Sequence, residues 1–273
     1  MKNSNSFLYL VLGMLVTATI VIACGKENEN TEEDVFVPSD GMIFSYVGRK
    51  FTFINGGTEL ELSKGNFQDG VYKQLYPWME YRGKEYPITR IGKEAFAGHM
   101  TYEGDLVIPE GIVSIGEGAF RGLKIDDRIV LPSTLIDIEK SAFEFSSFKR
   151  TKIPNGVSII KESTFLGCEN LNDITFPDSL KAIEAYAFST CLNLEKVTIP
   201  KGVKTIGRSV FTYCPKLKIV ESLIEDPQPI HDTAFGSDFL TMGTLYVPRG
   251  TKHKYMRTKG WGDRIQNIRE FDE

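Results

Sequence analysis

Residues 194–214 read LEKVTIPKGVKTIGRSVFTYC and carry one full copy of a pattern that recurs through the chain. Val197 and Ile199 alternate with polar residues, which is the period of a half-buried β-strand. Pro200 ends that strand because proline has no N–H to donate to a ladder. Pro200 and Gly202 together are typical of a β-turn. The stretch therefore predicts one strand, a turn and a second short extended segment.

Copies of this stretch recur at spacings of 22 to 24 residues. A phenylalanine marks each copy, an isoleucine stands five residues before it, and a small or β-branched residue directly precedes it. The phenylalanines are Phe96, Phe120, Phe143, Phe165, Phe188, Phe211 and Phe235. The isoleucines are Ile91, Ile115, Ile138, Ile160, Ile183, Ile206 and Ile230. Because no copy has enough apolar surface to fold alone, we expect the copies to stack and to bury these positions as continuous ladders.

The recurring phrase resembles the leucine-rich repeat of BspA-like (Treponema-type) proteins, Leu-x-x-Ile-x-Ile-Pro-x-x-Val-x-x-Ile-Gly-x-x-Ala-Phe-x-x-Cys. The resemblance covers roughly residues 86–250. It is looser where Glu139 and Lys161 replace Gly and where Thr164 replaces Ala. The resemblance implies a mainly β, leucine-rich repeat solenoid of about seven to eight coils of ~23 residues.

The chain divides into five expected segments. They are a lipoprotein signal peptide at residues 1–23, an acidic tether at 24–36, a β-rich N-terminal cap at 37–85, the repeat solenoid at 86–243, and a C-terminal coil and cap at 244–273. In the N-terminal cap, Phe51 and Phe53 suggest strands and Gly56-Gly57 suggests a hairpin turn. We do not expect this segment to be a separate domain, because ~50 residues bury little core alone. The solenoid ends need covering, since an open end would expose apolar surface.

The N-terminus has the features of a secretory signal. Lys2 precedes an uncharged run, apolar or small from Phe7 to Ala23, which is shorter than the ~20 residues that a bilayer-spanning helix needs. Val21-Ile22-Ala23-Cys24 resembles the bacterial lipobox, and this resemblance implies cleavage before Cys24 and lipidation of its thiol. An uncleaved signal anchor and plain secretion are the alternatives.

The segment after Cys24 carries most of the net negative charge of the chain. Gly25–Asp34 holds one base and five acids, and it is similar to the export signal of Bacteroidetes surface lipoproteins. We therefore expect an outer-membrane lipoprotein exposed on the cell surface, with a periplasm-facing anchor as the alternative. The formal net charge of the chain is -4, but residues 35–273 hold 30 bases against 31 acids. This balance gives no reason to expect a nucleic-acid partner.

Three cysteines recur 23 residues apart, at Cys168, Cys191 and Cys214. Stacked coils could bring them within disulfide range, or they could be buried free thiols in a packing or capping slot, which we favour. Other copies carry His99, Leu123, Ser146 and Asp238 in that slot. The spacings include no paired Cys-x-x-Cys, so we expect no metal.

We expect neither a cofactor nor a catalytic activity. His99, His231 and His253 fall in different coils or in the C-terminal cap, outside any Ser/His/Asp or Cys/His arrangement. The chain also lacks a glycine loop of the kind that cradles phosphate. With no metal or catalytic site indicated, a binding function would have to use the protein surface. We therefore expect the solvent-facing side of the first strand of each coil to contact a ligand.

On that face the middle residue of each strand should point outward. These residues are Val107, Val130, Lys152, Thr175 and Thr198. Lys149 and Arg150 add positive charge beside Lys152. The candidate ligand-binding residues are therefore Lys149, Arg150, Lys152, Thr175 and Thr198, and a solvated sheet face that binds nothing tightly is the alternative.

The resemblance implies adhesion, because BspA-like proteins are associated with binding host matrix proteins. We therefore expect a non-catalytic, lipid-anchored surface protein with a macromolecular, protein ligand. The alternatives are a carbohydrate- or nutrient-binding accessory lipoprotein and a structural component of the envelope. The strand face carries no aromatic residue before Tyr246, which favours protein over glycan.

Overall fold

The structure, a computed structural model, describes residues 37–46, 49–64, 75–98, 101–102 and 104–272. Over these ranges the chain is mainly β and forms a solenoid of about eight turns about 23 residues apart, which confirms the predicted fold class. The predicted signal peptide, Cys24, the acidic tether and His99 lie outside the described residues. Within those ranges, no helix combines the length and the apolar character that crossing a membrane requires.

The strands that precede the prolines lie side by side along one face of the solenoid. They are parallel, and equivalent positions of successive coils lie opposite each other, as Lys152 does to Thr175. One sheet joins β7 (Leu106–Val107), β10 (Arg128–Val130), β12 (Arg150–Lys152) and β14 (Asp173–Thr175). Another joins β16 (Lys196–Ile199), β18 (Ile219–Ser222), β19 (Thr244–Val247) and β20 (Ile268–Glu270).

The second extended segments of the coils form two further parallel ladders. One pairs β8 (Ser114–Ile115) with β11 (Asp137–Ile138), and the other joins β13 (Ile159–Ile160), β15 (Ala182–Ile183) and β17 (Thr205–Ile206). Each strand ends on the repeating isoleucine, and these isoleucines are buried. Short strands β6 (Thr101–Tyr102) and β9 (Lys124–Ile125) pair on another side. In these central coils the first and second extended segments therefore belong to different sheets.

The repeating phenylalanines stack through the centre of the solenoid. From Phe96 to Phe235, neighbouring rings lie 5.1–5.5 Å apart between centroids and within 15° of parallel. All of them are buried. The 23-residue period places each ring directly over the previous one, as the sequence predicted.

The turn around each phenylalanine links one coil to the next through the backbone. The N–H of Phe165, for example, donates to the carbonyl of Ala187 at 2.9 Å. From Phe96 to Phe211, the backbone two residues after each phenylalanine is left-handed, and Gly167 fills this position where a Cβ would lie 2.3 Å from the Phe145 ring. Thr190 takes the same conformation, with φ of 62°. A left-handed residue with a Cβ costs about 1–2 kcal/mol.

The N-terminal strands extend the sheet of the solenoid. β1 (Ile43–Tyr46), β2 (Arg49–Ile54) and β3 (Glu59–Ser63) form an antiparallel meander, with the expected turn at Gly56-Gly57. β5 (Lys84–Ile91) pairs with β4 (Trp78–Tyr81) in a hairpin and also runs parallel to β3 and β8. One continuous ladder therefore passes from β1 to β11.

The C-terminal residues pack differently from the repeats. Helices α1 (Ser237–Met242) and α2 (Lys252–Arg257) flank β19. Trp261 and Tyr255 are fully buried and cross each other at 78°. The role of caps that we assigned to residues 37–85 and 244–273 stays a prediction, as do the segment boundaries.

Candidate binding surface

An open depression of about 610 Å³ crosses the face formed by β10, β12 and β14. We call it the strand-face groove and define it by Arg128, Val130, Arg150, Lys152, Asn155 and Thr175. Its floor consists of the outward-facing residues of successive strands, because alternate residues of a strand point to opposite faces. The buried neighbours of these residues, such as Ile129 and Ile174, belong to the core.

One wall of the groove is a row of charges that are already paired. Nε of Arg128 donates to the carboxylate of Asp105, and Nη2 of Arg150 donates to that of Asp127. The hydrogen bond from Arg150 lowers the pKa of Asp127 and raises the pKa of Arg150. Each guanidinium is therefore held by an aspartate that lies 23 residues earlier in the chain.

The opposite wall comes from the turns that follow the strands. The carboxylate of Glu110 accepts hydrogen bonds from the backbone N–H and the hydroxyl of Ser133, both at 2.9 Å. These bonds lower the pKa of Glu110 below its usual value. Pro154 and Asn155 continue the wall on the next coil. The hydrogen bonds between Glu110 and Ser133 hold the turns of two successive coils together. The groove between the two walls is open to solvent.

The structure brings three of the five predicted ligand-binding residues together in this groove. Arg150, Lys152 and Thr175 line it. Lys149 is exposed but lies outside the lining, and the hydroxyl of Thr198 is half-buried and donates to the Glu221 carboxylate at 2.9 Å. Cys24, the predicted lipidation site, lies outside the described residues.

Sequence reasoning missed the turn wall. Glu110, Ser133 and Asn155 follow the prolines of successive copies, at spacings of 23 and 22 residues. This spacing could have identified them, since it places them in one column beside the predicted strand face. Arg128 stands at the same offset from its proline as Arg150 and was missed in the same way.

The cysteine slot is a hydrogen-bonding position in the core. Cys168, Cys191 and Cys214 are buried free thiols, as favoured from the sequence. Burial raises the pKa of each thiol above its usual value, that of Cys214 to about 12. The donor–acceptor pairs are Cys168–Phe143 at 3.1 Å, Cys191–Phe165 at 3.3 Å, Cys214–Phe188 at 3.2 Å and, with a hydroxyl donor, Ser146–Phe120 at 2.7 Å. Each side chain donates to the carbonyl of the phenylalanine in the preceding coil.

The polar contacts of the His231 side chain are with its own sequence neighbours. His231 is exposed, and its Nδ1 lies 3.1 Å from a carboxylate oxygen of Asp232 and 2.9 Å from the hydroxyl of Thr233. Across the part of the chain that the structure describes, no group of three His, Cys, Asp or Glu side chains could hold a metal ion.

Comparison with protein families identifies the repeat. A model described as the BspA type leucine rich repeat region matches residues 89–218 in six copies. Residues 89–218 form a BspA-type leucine-rich repeat region. The resemblance drawn from the 23-residue phrase is thereby confirmed. All lining residues of the strand-face groove, from Glu110 to Thr175, lie within this leucine-rich repeat region.

Solved structures of bacterial leucine-rich repeat proteins are similar to this chain. The Treponema pallidum leucine-rich repeat protein is 20% identical, with 77% of this chain and 92% of that chain covered and a TM-score of 0.53. A Bacteroides ovatus leucine-rich repeat protein is 22% identical, with coverage of 83% and 67% and a TM-score of 0.49. A leucine-rich cell surface protein of Faecalibacterium prausnitzii is 15% identical, with coverage of 85% and 95% and a TM-score of 0.36. The Treponema comparison shows the fold alone. Comparison with curated proteins finds no match.

Proposed function

We propose that this chain is a non-catalytic, lipid-anchored protein of the bacterial outer surface that binds a protein partner through the strand-face groove. Leucine-rich repeats of this family generally mediate contacts between proteins. The observation that carries the proposal is the groove itself. It is open to solvent, and its floor presents outward-facing side chains from neighbouring parallel strands.

Protein adhesion is tested by direct binding. The soluble chain from Gly25 onward would be passed over a surface that carries a panel of extracellular-matrix proteins, and equilibrium binding would be measured by surface plasmon resonance. We expect saturable binding to at least one matrix protein. Its absence across the panel would contradict host-matrix adhesion.

The anchor is proposed from the signal pattern and from Cys24. Two or three acyl chains on this residue would hold the protein stably on a membrane, whereas one chain gives marginal binding. Mass spectrometry of the membrane-extracted protein should find an acylated Cys24 at the N-terminus. Protease treatment of intact cells should degrade the protein if it faces outward. A mature chain that starts elsewhere would contradict the anchor, and protection from protease would contradict surface display.

A carbohydrate ligand is the second candidate, because exposed aromatic side chains occur away from the groove. Tyr76 is 55% exposed and Trp78 is 45% exposed, and Trp78 pairs in register with Pro87 on the β4–β5 hairpin. Aromatic faces beside polar edges suit sugar rings. A glycan array comparing the wild type with Trp78→Ala tests this candidate, with Tyr213→Ala as the control because Tyr213 is exposed elsewhere. Glycan binding lost only in Trp78→Ala would favour the carbohydrate function over protein adhesion.

A further inference from the structure

The turn between β12 and β13 contains an asparagine followed by a glycine, Asn155-Gly156. Both residues are exposed, and the N–H of Val157 closes the turn by donating to the Pro154 carbonyl at 3.1 Å. Asparagine is among the thermolabile residues of proteins. It loses its carboxamide most readily before glycine, because glycine has no Cβ to obstruct attack by its own nitrogen and its backbone is the most mobile. This pair lies in a wall of the strand-face groove, which Asn155 lines.

The two groups that react in such a pair are available at this turn. Among the described residues, none hydrogen-bonds to the Asn155 carboxamide, and none accepts a hydrogen bond from the Gly156 N–H. The carbonyl of Asn155 accepts a hydrogen bond from the Ser179 hydroxyl at 2.7 Å. A donor at this oxygen draws electron density from the peptide bond, which makes the Gly156 N–H easier to deprotonate.

The other Asn-Gly pair of the chain has the opposite environment. Asn55-Gly56 is also exposed and lies in the turn between β2 and β3. Nδ2 of Asn55 donates to the Glu59 carboxylate at 2.6 Å, and the N–H of Gly56 donates to the Asp40 carboxylate at 2.8 Å. Hydrogen bonds to ionised acceptors are the strong ones, and ring closure would have to break both. The same dipeptide is therefore protected at Asn55 and unprotected at Asn155.

Packing explains why the turn of Asn155 contains a glycine. A Cβ on Gly156 would lie 2.4 Å from the carbonyl oxygen of Leu135 in the preceding coil, so a larger residue does not fit. The position before the glycine is free of this constraint, because it is exposed and is occupied by Glu110 or Lys201 in other copies. The asparagine is thus the replaceable member of the pair.

We propose that Asn155 deamidates spontaneously and that the strand-face groove thereby acquires a carboxylate. The backbone nitrogen of Gly156 loses its proton and bonds to Cγ of Asn155, while the bond from Cγ to Nδ2 breaks and ammonia leaves with that proton. Water then adds to either carbonyl of the succinimide ring. One opening gives aspartate, and the other gives isoaspartate, in which the main chain runs through the side-chain carbon. This inference does not depend on the proposed protein-binding function.

The product changes both the charge and the backbone of the groove wall. The lining contains three bases and two acids, which are Arg128, Arg150, Lys152, Glu110 and Asp173. One further carboxylate makes the two signs equal in number. Isoaspartate also adds one carbon to the main chain within the turn that Val157 and Pro154 close. The negative charge of the groove therefore rises with the age of the protein.

Peptide mapping of the aged protein tests the inference. Purified full-length protein is held at mildly alkaline pH and body temperature in heavy-oxygen water, and samples are then digested at acidic pH, where ring closure is slow. Mass spectrometry measures the acid formed at Asn155 and at Asn55 in the same sample, and the heavy oxygen marks products that water has opened. A parallel sample in guanidinium chloride gives both rates in the unfolded chain. Circular dichroism checks that the first sample stays folded.

We expect the folded protein to form acid at Asn155 at least tenfold faster than at Asn55. In guanidinium chloride the two rates should agree within about twofold, because the bonds to Asp40 and Glu59 are lost. Asn155→Gln should stay unmodified, since its longer side chain has to close a less favourable ring. A folded-state rate at Asn155 no higher than that at Asn55 overturns the inference. The same ratio of rates in both samples also overturns it, because the environment of the turn would then have no part.

Discussion

The central coils and the C-terminal segment bury their aromatic residues in opposite ways. In the coils, Phe165, Phe188 and Phe211 stack nearly parallel, and each ring makes the same contact with its neighbours on both sides. At the C-terminal end of the ladder, Phe235 is instead tilted against Phe239 and Trp261, at 34° and 49°. In the central coils, each phenylalanine packs against the equivalent phenylalanine of the next repeat. At the C-terminal end, the packing partners are residues such as Phe239 and Trp261, which are not part of the 23-residue pattern.

Hydrogen bonding differs in the same way. In the coils, the cysteine slot makes one bond per coil with an equivalent carbonyl each time. In the C-terminal segment, the Tyr255 hydroxyl donates to the Ile224 carbonyl at 2.7 Å and lies 2.6 Å from the Ser222 hydroxyl, and Trp261 Nε1 donates to the Gln228 carbonyl. A hydrogen bond in the cysteine slot is repeated in neighbouring coils, whereas the bonds of Tyr255 and Trp261 have no such counterpart in the repeats.

The largest effect is expected for Phe188→Ala. Phe188 is fully buried between Phe165 and Phe211, so the change removes contacts on both sides and leaves a cavity. The free energy of unfolding, measured by urea denaturation, should fall by about 3–5 kcal/mol. Phe188→Leu should lose less, because it keeps most of the volume. A loss below about 1 kcal/mol for Phe188→Ala would show that the stack does not depend on each ring.

Tyr255→Phe tests the C-terminal segment. The change leaves the buried Ile224 carbonyl and Ser222 hydroxyl without the phenol, which should cost about 1–3 kcal/mol. Amide hydrogen exchange should speed up in residues 219–272 and stay unchanged in the central coils, since repeats contact chiefly their neighbours. Tyr213→Phe is the control, because Tyr213 is 76% exposed. Equal acceleration in both regions would contradict the contrast between them.

The cysteine slot should tolerate serine better than alanine. In Cys191→Ser the hydroxyl can donate to the Phe165 carbonyl, as Ser146 donates to that of Phe120. Cys191→Ala loses both the sulfur contacts and the hydrogen bond, which should cost about 1–2 kcal/mol. Thermal melting ranks the two variants. A less stable serine variant would mean that the slot selects for apolar volume rather than for a donor.

The smallest expected effect is a gain in stability for Thr190→Gly. Thr190 holds a left-handed backbone at the position that Gly167 fills in the preceding coil. Glycine should relieve this strain and raise the free energy of unfolding by about 0.5–1 kcal/mol, after the greater freedom of the unfolded chain is counted. Gly167→Ala is the reverse test and should destabilise, since its Cβ meets the Phe145 ring. A destabilised Thr190→Gly would show that the threonine side chain contributes more than its backbone strain costs.

Periodicity made the coils predictable from sequence. The 23-residue spacing predicted that Ile183 and Phe188 lie in buried ladders and that the three cysteines occupy one slot. The prolines predicted where the strands end. These features depend on backbone register, which a 23-residue repeat determines. The outward positions of Lys152 and Thr175 followed from strand alternation in the same way.

Features outside the period were not predictable. The pairing of Arg150 with Asp127 depends on the rotamers of both side chains, so the sequence suggested a positive charge at Arg150 where the structure has a neutralised pair. The parallel pairing of β3 with β5 and the contact of Trp261 with Phe235 join residues far apart in the chain, with no recurring spacing to indicate them.

The most direct test of the proposed function is to block the groove without changing its fold. Thr175→Arg places a bulky side chain on the groove floor, and Thr205→Arg makes the same change on the exposed face of β17. Affinity for the matrix protein that binds the wild type best would be measured for both variants by surface plasmon resonance. We predict at least a tenfold loss of affinity for Thr175→Arg and unchanged affinity for Thr205→Arg. Equal affinities of the two variants would contradict binding through the strand-face groove.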